Sequence, residues 1–196
     1  MTVVERPRLR GAYFDGLYAA DPDPWDFATS AYERAKYDDT LAALGDRRFA
    51  RGLEVGCSIG VLTERLAERC DELVALDVAQ AAIDAAGARL AGREGVEVRR
   101  ASLPEQWPSG SFDLVVASEV LYYFDRATLR DDVLPGLVGR LRPGGLLLAV
   151  HWRRPTDTYP LRGDEVHAML RATAGLVVVV HRLNENYRLD ALEGAA

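Results

Sequence analysis

The chain has 196 residues, enough for one domain with a sizeable core, and its 48% hydrophobic and 28% charged residues exclude a disordered or coiled-coil protein. With 30 Asp+Glu against 24 Lys+Arg the formal net charge is −6, which works against a partner bound through its phosphate backbone, so nucleic acid is not expected. Two cysteines, Cys57 and Cys70, are too few for a disulfide scaffold, and no apolar run reads as a membrane span or a leader; a cytoplasmic protein without membrane association is the expectation.

The N-terminal stretch carries clustered aromatics, Tyr13, Phe14, Tyr18, Trp25, Phe27, Tyr32 and Tyr37, around the breaker-rich Asp21-Pro22-Asp23-Pro24. A helix is predicted from about residue 30 to 44. Residues 1–45 read as a cap on a core over 46–196, the two forming a single domain over 1–196. From Arg51 onward short apolar runs alternate with helical spacing, the pattern of βαβ units and a mainly parallel sheet. A strand over 52–55 enters a glycine loop, and Leu62, Leu66 and Cys70 then fall on one helical face. A second strand covers 73–76, Ala79, Ala82, Ile83, Ala86 and Leu90 mark a second helix, and a third strand begins at 96. FDLVVA, 112–117, is apolar after its aspartate, as a central strand buried on both faces should be. Leu129, Val133, Leu134, Leu137, Val138 and Leu141 keep helical spacing, with Pro135 expected to kink or split the helix. Arg142-Pro143-Gly144-Gly145 reads as a stop before a fifth strand over 146–150. A helix over 164–172 with Asp164 as its cap precedes two closing strands, 176–180 and 187–192.

In an open parallel sheet, ligands bind beyond the carboxyl ends of the strands. Standing there are Glu54, Gly56, Cys57, Ser58 and Gly60, then Asp77 and Val78, Ser102 and Leu103, Ser118 and Glu119, and finally His151 and Trp152. Glycine lets backbone approach a ligand closely, and a helix start offers free N–H groups. A dinucleotide G-x-G-x-x-G counted from Gly56 would need glycine at 58 and 61, where Ser58 and Val61 stand, so a nicotinamide cofactor is disfavoured.

The ordered set E-x-G-x-S-x-G, Asp77, FDLVVASEVLYY and LRPGG resembles class I S-adenosylmethionine (SAM) methyltransferases over roughly 51–192. The resemblance implies an α/β, Rossmann-like sheet of order 3-2-1-4-5-7-6 with the last strand antiparallel, helices on both faces and the N-terminal cap outside it. It implies SAM as cofactor, held by the strand-end residues from Glu54 to Ser118, with Asp77 accepting from the ribose hydroxyls. Ser58 departs from the usual second glycine, and Ala101-Ser102-Leu103 replaces the usual acid beside adenine, a part Ser102 or a backbone amide would take. More narrowly, DPDPWDFATSAYERAKYDDTLAAL, EVGCSIG and SEVLYYF are similar to the nodulation-type NodS branch, which methylates the amine of a chitooligosaccharide, and its relatives acting on other sugars. In that branch the N-terminal segment would fold over SAM, with Trp25 and Tyr32 as aromatic cover and Lys36 or Arg34 near a carboxylate; packing of the cap onto the sheet explains the same aromatics.

A small sugar or glycoside is therefore the expected partner, and O-methylation the first reading, because a neutral histidine at a strand end can accept a hydroxyl proton. His151 is the candidate base, with Glu119 orienting it or contacting the sugar, against a histidine that only bonds a loop. Tyr122, Tyr123 and Trp152 are candidates to stack on a sugar ring or merely to pack, and Arg153 and Arg154 to rim the substrate or to remain solvated. N-methylation of an amino sugar is the alternative, since an amine has no obligatory base; a small-molecule natural-product methyltransferase and a non-catalytic SAM-binding module rank lower. The N/D-P-P-Y/F motif that grips a flipped base is missing after strand four. No metal site is legible, and metal dependence stays open.

Overall fold

The computed structural model describes residues 6–195; residues 1–5 of the expected cap, and residue 196, lie outside the described residues. The strands are β1 (Phe49–Val55), β2 (Cys70–Asp77), β3 (Val96–Arg100), β4 (Phe112–Ser118), β5 (Leu141–Trp152), β6 (Leu176–Leu183) and β7 (Tyr187–Gly194). They form one seven-stranded sheet of order β3-β2-β1-β4-β5-β7-β6. The first five strands are parallel and β7 runs antiparallel to both its neighbours, the topology that the family resemblance implies. Phe112, Leu114, Val115, Val116 and Ala117 of β4 have no exposed surface, which is why the strand reads as one apolar run instead of alternating.

Helices cover the sheet: α1 (Gly11–Ala20), α2 (Ala31–Ala42), α3 (Val61–Leu66), α4 (Gln80–Arg89), α5 (Arg126–Thr128), which runs through the π-helical turn Leu129–Val133 into α6 (Leu134–Val138), and α7 (Gly163–Ala172). The Ser30 hydroxyl caps α2 by accepting from the Glu33 N–H at 3.3 Å. Pro135 sits in the first turn of α6, directly after the π-helical turn, so the disturbance expected of it takes the form of that turn and the helical run continues.

Three local readings are corrected. Cys70 opens β2, paired with Phe49, instead of closing a helix; burial is satisfied either way, so its spacing from Leu66 misleads. Arg142-Pro143-Gly144-Gly145 does not stop a helix ahead of β5 but lies inside the strand as an irregularity, with Phe112 opposite Leu141 and Leu114 opposite Leu146. Asp164 is not the cap of α7. Arg162 holds that position, its N–H donating to Glu165 Oε2 at 2.9 Å, while Asp164 pairs with Arg153.

Candidate cofactor and acceptor site

The register of β1 on β2 sets Val55 beside Leu76, and the N–H groups of Gly56 and Cys57 both donate to the Leu76 carbonyl, at 2.8 and 2.9 Å. The loop after β1 is thereby pinned against Asp77. Gly56 (φ 79°) and Gly60 (φ 80°) take left-handed backbone, and a Cβ at Gly56 would stand 2.9 Å from Val120, so glycine is required there on both counts. Ser58 is left-handed as well (φ 49°), so backbone conformation, more than side-chain size, explains why glycine is usual at this place. Its hydroxyl lies 2.5 Å from the Tyr18 hydroxyl, a link between loop and cap.

The Asp77 carboxylate accepts from Ser58 N–H at 2.9 Å and Ala79 N–H at 3.0 Å. Burial raises its pKa and these amides oppose the rise. Each oxygen keeps a further lone pair for a ligand. Above it opens a cleft continuous with solvent. Gly56, Ser58, Asp77, Val78, Ser102 and Leu103 form one side, and Ser118, Glu119, Val120 and Tyr123 the other. Arg8, Arg10, Phe14, Tyr18, Trp25 and Phe27 complete it from the N-terminal segment. A smaller, narrow recess adjoins it, lined by Glu54, Cys57, Leu62, Tyr37 and, again, Ser118 and Glu119. Glu54 is 2% exposed; burial pushes its pKa up to about 7 against the lowering pull of the neighbouring Thr63 hydroxyl, and its Oε2 makes no hydrogen bond of ordinary geometry among the described residues. A buried carboxylate oxygen in that state favours a cationic ligand group.

Gly60 lines neither cavity, but lets the loop pass within 3.1 Å of Ala86, measured from the Cβ it lacks. Ser102 reaches Glu105 (3.3 Å), whose carboxylate is bound by Arg8 at 2.6 Å. Arg8 and Arg10 carry no local signal of their place here, because only tertiary contacts bring them to the cleft, whereas Phe14 belongs to the aromatic cluster of the cap.

Glu119 is the most heavily bonded side chain of the site. Held at φ 55° just after β4, it accepts from Lys36 Nζ (2.7 Å), from the Tyr122 hydroxyl (2.5 Å) and from the Trp152 N–H (2.9 Å). Lys36 lies buried between Glu119 and Glu33, 2.8 Å from the latter. Burial pulls its pKa down, but the two carboxylates outweigh that and hold the ammonium above its usual range. Of the two cations that the resemblance sets near a carboxylate, Lys36 pairs with Glu119 and Glu33, while Arg34 bonds the Thr29 carbonyl.

His151, in contrast, does not reach the cleft. It has no exposed surface; its Nε2 accepts from the Leu121 N–H at 3.1 Å and its Nδ1 faces His167 Nε2 at 3.2 Å. Burial, with His167 and Lys36 adding to it, holds its pKa well below 6.5. With both ring nitrogens engaged and no part in the cleft lining, His151 takes the place of a strand-end histidine that bonds a loop, the other reading its position offers. Tyr32, Tyr122 and Trp152 also lie off the cleft lining: Tyr32 packs edge-on against Trp152, and Tyr122 stacks on Tyr159 at 4.7 Å. Arg153 is bound to Asp164 and the Asn184 carbonyl, and Arg154 to Glu185 and Asn186, so neither stands as a free basic rim. Among the described residues no group of three or more His, Cys, Asp or Glu side chains is arranged to hold a metal ion.

This sheet order, with a glycine loop and an acid at the ends of its first two strands facing one cleft, defines a class I methyltransferase that uses SAM, and the bonding groups present suit that cofactor. The chain belongs to the Nodulation protein S (NodS) family, whose sequence profile matches residues 17–154. It is 35% identical over 170 residues to Nodulation protein S of Bradyrhizobium diazoefficiens, covering 84% of this chain and 74% of that protein. Against the relative from Rhizobium tropici it is 36% identical but spans only 55% of that protein. Among solved structures, the N-methyltransferase NodS from Bradyrhizobium japonicum with S-adenosylhomocysteine (SAH) superposes with a TM-score of 0.84 at 26% identity, covering 95% of this chain and 98% of that one. A methyltransferase-like protein from Pseudomonas syringae is 38% identical with a TM-score of 0.74, covering 84% and 99%.

Proposed function

We propose that the chain is an N-methyltransferase that methylates the amine of a small molecule, with an amino sugar as the acceptor class. The observation that carries this reading is Glu119: a carboxylate on the cleft wall, fixed by Lys36, Tyr122 and the Trp152 amide, with no histidine base beside it. SAM supplies an electrophilic methyl group when bound. Asp77 would hold the ribose hydroxyls, Glu54 the amino-acid ammonium, and Trp25, with Tyr18 and Phe27, would cover the cofactor. Glu119 would face the acceptor nitrogen and stabilise the positive charge that nitrogen gains as it takes the methyl carbon from the sulfonium sulfur, which would leave as the thioether SAH; the surplus proton then leaves to solvent. A hydroxyl acceptor needs a base in the transition state, and His151 is committed elsewhere, so the amine reading takes precedence over sugar O-methylation. The name of the NodS relative, an N-methyltransferase, favours the same choice. No helix among the described residues is long and apolar enough to cross a membrane, and two buried free cysteines fit the cytoplasm we propose as its location.

The test incubates the protein with SAM and a glucosamine oligosaccharide, its N-acetylated counterpart, or a simple methyl glycoside, and reads methyl gain by mass spectrometry. The expected product is a methylamine from the first acceptor alone. Methylation of a hydroxyl on the acetylated sugar would overturn the reading.

A further inference from the structure

The cleft chemistry leaves unused a line of buried polar groups on the far side of β5. Leu121 N–H donates to His151 Nε2 (3.1 Å), and His151 Nδ1 lies 3.2 Å from His167 Nε2. His167 Nδ1 lies 2.7 Å from Asp190 Oδ2. His151, His167 and Asp190 each have no exposed surface. One proton arrangement satisfies every contact: Nε2 of His151 is an acceptor, so its Nδ1 carries the proton and donates to His167, whose own Nδ1–H donates to Asp190. Asp190 is in turn bound by Arg171 (2.6 Å) and His181 (2.7 Å), with Arg188 beside it, and is therefore a fixed anion at the end of the line. Gly163, at the start of α7, lets that helix approach so closely that a Cβ would collide with the Trp152 carbonyl, which brings His167 within reach of His151. The groups facing His151 are His167 from α7, Lys36 from α2, Asp190 from β7 and the Tyr122 ring at 5.2 Å.

Leu121 is the first residue of the turn that follows Glu119 and Val120 and carries Tyr123, three residues of the cleft wall. We propose that His151, fixed by His167 and Asp190, is a positioning residue that sets this turn, and with it the wall of the cofactor cleft, through a single hydrogen bond to the Leu121 amide. A neutral histidine of this tautomer is suited to the task, since its acceptor nitrogen is aimed at a buried N–H that has no other partner among the described residues. The proposal rests on the methyltransferase class and not on nitrogen as the acceptor.

Two measurements test it. Long-range proton–nitrogen NMR of the SAH-bound protein at neutral pH should show His151 and His167 both protonated at Nδ1; a proton on Nε2 of His151 overturns the proposal. In calorimetry, His151→Leu should weaken SAH binding about tenfold or more and speed exchange of the Leu121 amide, as expected when a buried donor loses its acceptor. His151→Gln, which restores an acceptor oxygen, should stay within about threefold of the wild type. Unchanged binding in a folded His151→Leu protein, or a folded His151→Gln protein as weak as His151→Leu, would leave packing alone as the role of this position and overturn the proposal. If His151→Leu does not fold, the tautomer measurement and the glutamine variant decide.

Discussion

Asp77 serves two masters, the loop amides of Ser58 and Ala79 and the lone pairs left for a ligand. Asp77→Ala is expected to weaken SAH binding by about 1.5 to 3 kcal/mol, the range for hydrogen bonds to a charged group, with the fold retained. Asp77→Asn keeps one acceptor oxygen and should fall between the two in the same calorimetric titration. A folded alanine variant with wild-type affinity would remove Asp77 from the ribose site. The residue was legible in the sequence because sheet topology puts the end of β2 beside the glycine loop whatever the side chains do. His151 shows the opposite case. Successive side chains on a strand point to opposite faces, so one position decides whether a strand-end residue meets the cleft or the helix behind it, and an apolar run gives no mark of that parity. The same reasoning covers Glu119. Its place at the end of β4 was readable, but its left-handed backbone and its bonds to Lys36, Tyr122 and Trp152 come from three separate elements.

At the scale of elements, the alternation of strand and helix located all seven strands, and the errors fall where local pattern and tertiary pairing compete, as at Cys70 and the 142–145 irregularity. Helix α1 was visible only as a cluster of aromatics, since its buried side chains, Phe14 and Tyr18, face the cleft and its neighbours instead of the sheet core alone. The segment ahead of it is tied at separated points. Leu9 N–H donates to the Tyr123 carbonyl (2.8 Å), Arg8 bonds Glu105 and the Leu103 carbonyl, and Arg6 reaches the carbonyls of Thr156 and Tyr159. Most of these ties are solvent-exposed and individually weak, so the segment should open without unfolding the sheet. Binding of SAH, which would fill the space under Phe14, Tyr18 and Trp25, is expected to slow amide exchange across residues 6–30 by tenfold or more, as for a segment whose opening is coupled to ligand release. Equal exchange rates with and without SAH would make this segment a permanently docked roof and not a lid.

Across the whole molecule, two sets of buried groups set opposing pH dependences. Burial holds Glu54 up to about 7 and also raises Glu33, while His151 and His167 are held below their ordinary value, again chiefly by burial. A carboxyl raised in the folded state binds its proton more readily than in the unfolded chain. Its contribution is therefore complete below the unfolded value near 4.5 and is lost as pH rises through about 7. A depressed histidine has the reverse sign: its contribution is present above about 6.5 and is lost as pH falls, because the unfolded chain takes up the proton first. Going down from pH 8, Glu54 gains its proton before the unfolded-state histidines gain theirs, so the ligand-free protein should be most stable slightly on the acid side of neutral. Glu54→Gln removes the first effect while keeping the shape of the side chain. It should raise Tm at pH 8 by about 2 to 4 °C for each kcal/mol recovered and flatten the decline between pH 6.5 and 8, while the acid-side loss from the histidines persists. If the buried Glu54 oxygen receives the ammonium of SAH, ligand binding lowers its pKa, moves the wild-type maximum toward alkaline pH and leaves the maximum of the glutamine variant where it was. Thermal unfolding of both proteins with and without SAH, taken in steps from pH 5 to 9, separates these cases. An alkaline decline that survives in Glu54→Gln would mean that another group governs it, and an SAH-induced shift of equal size in both proteins would take Glu54 out of the cofactor site.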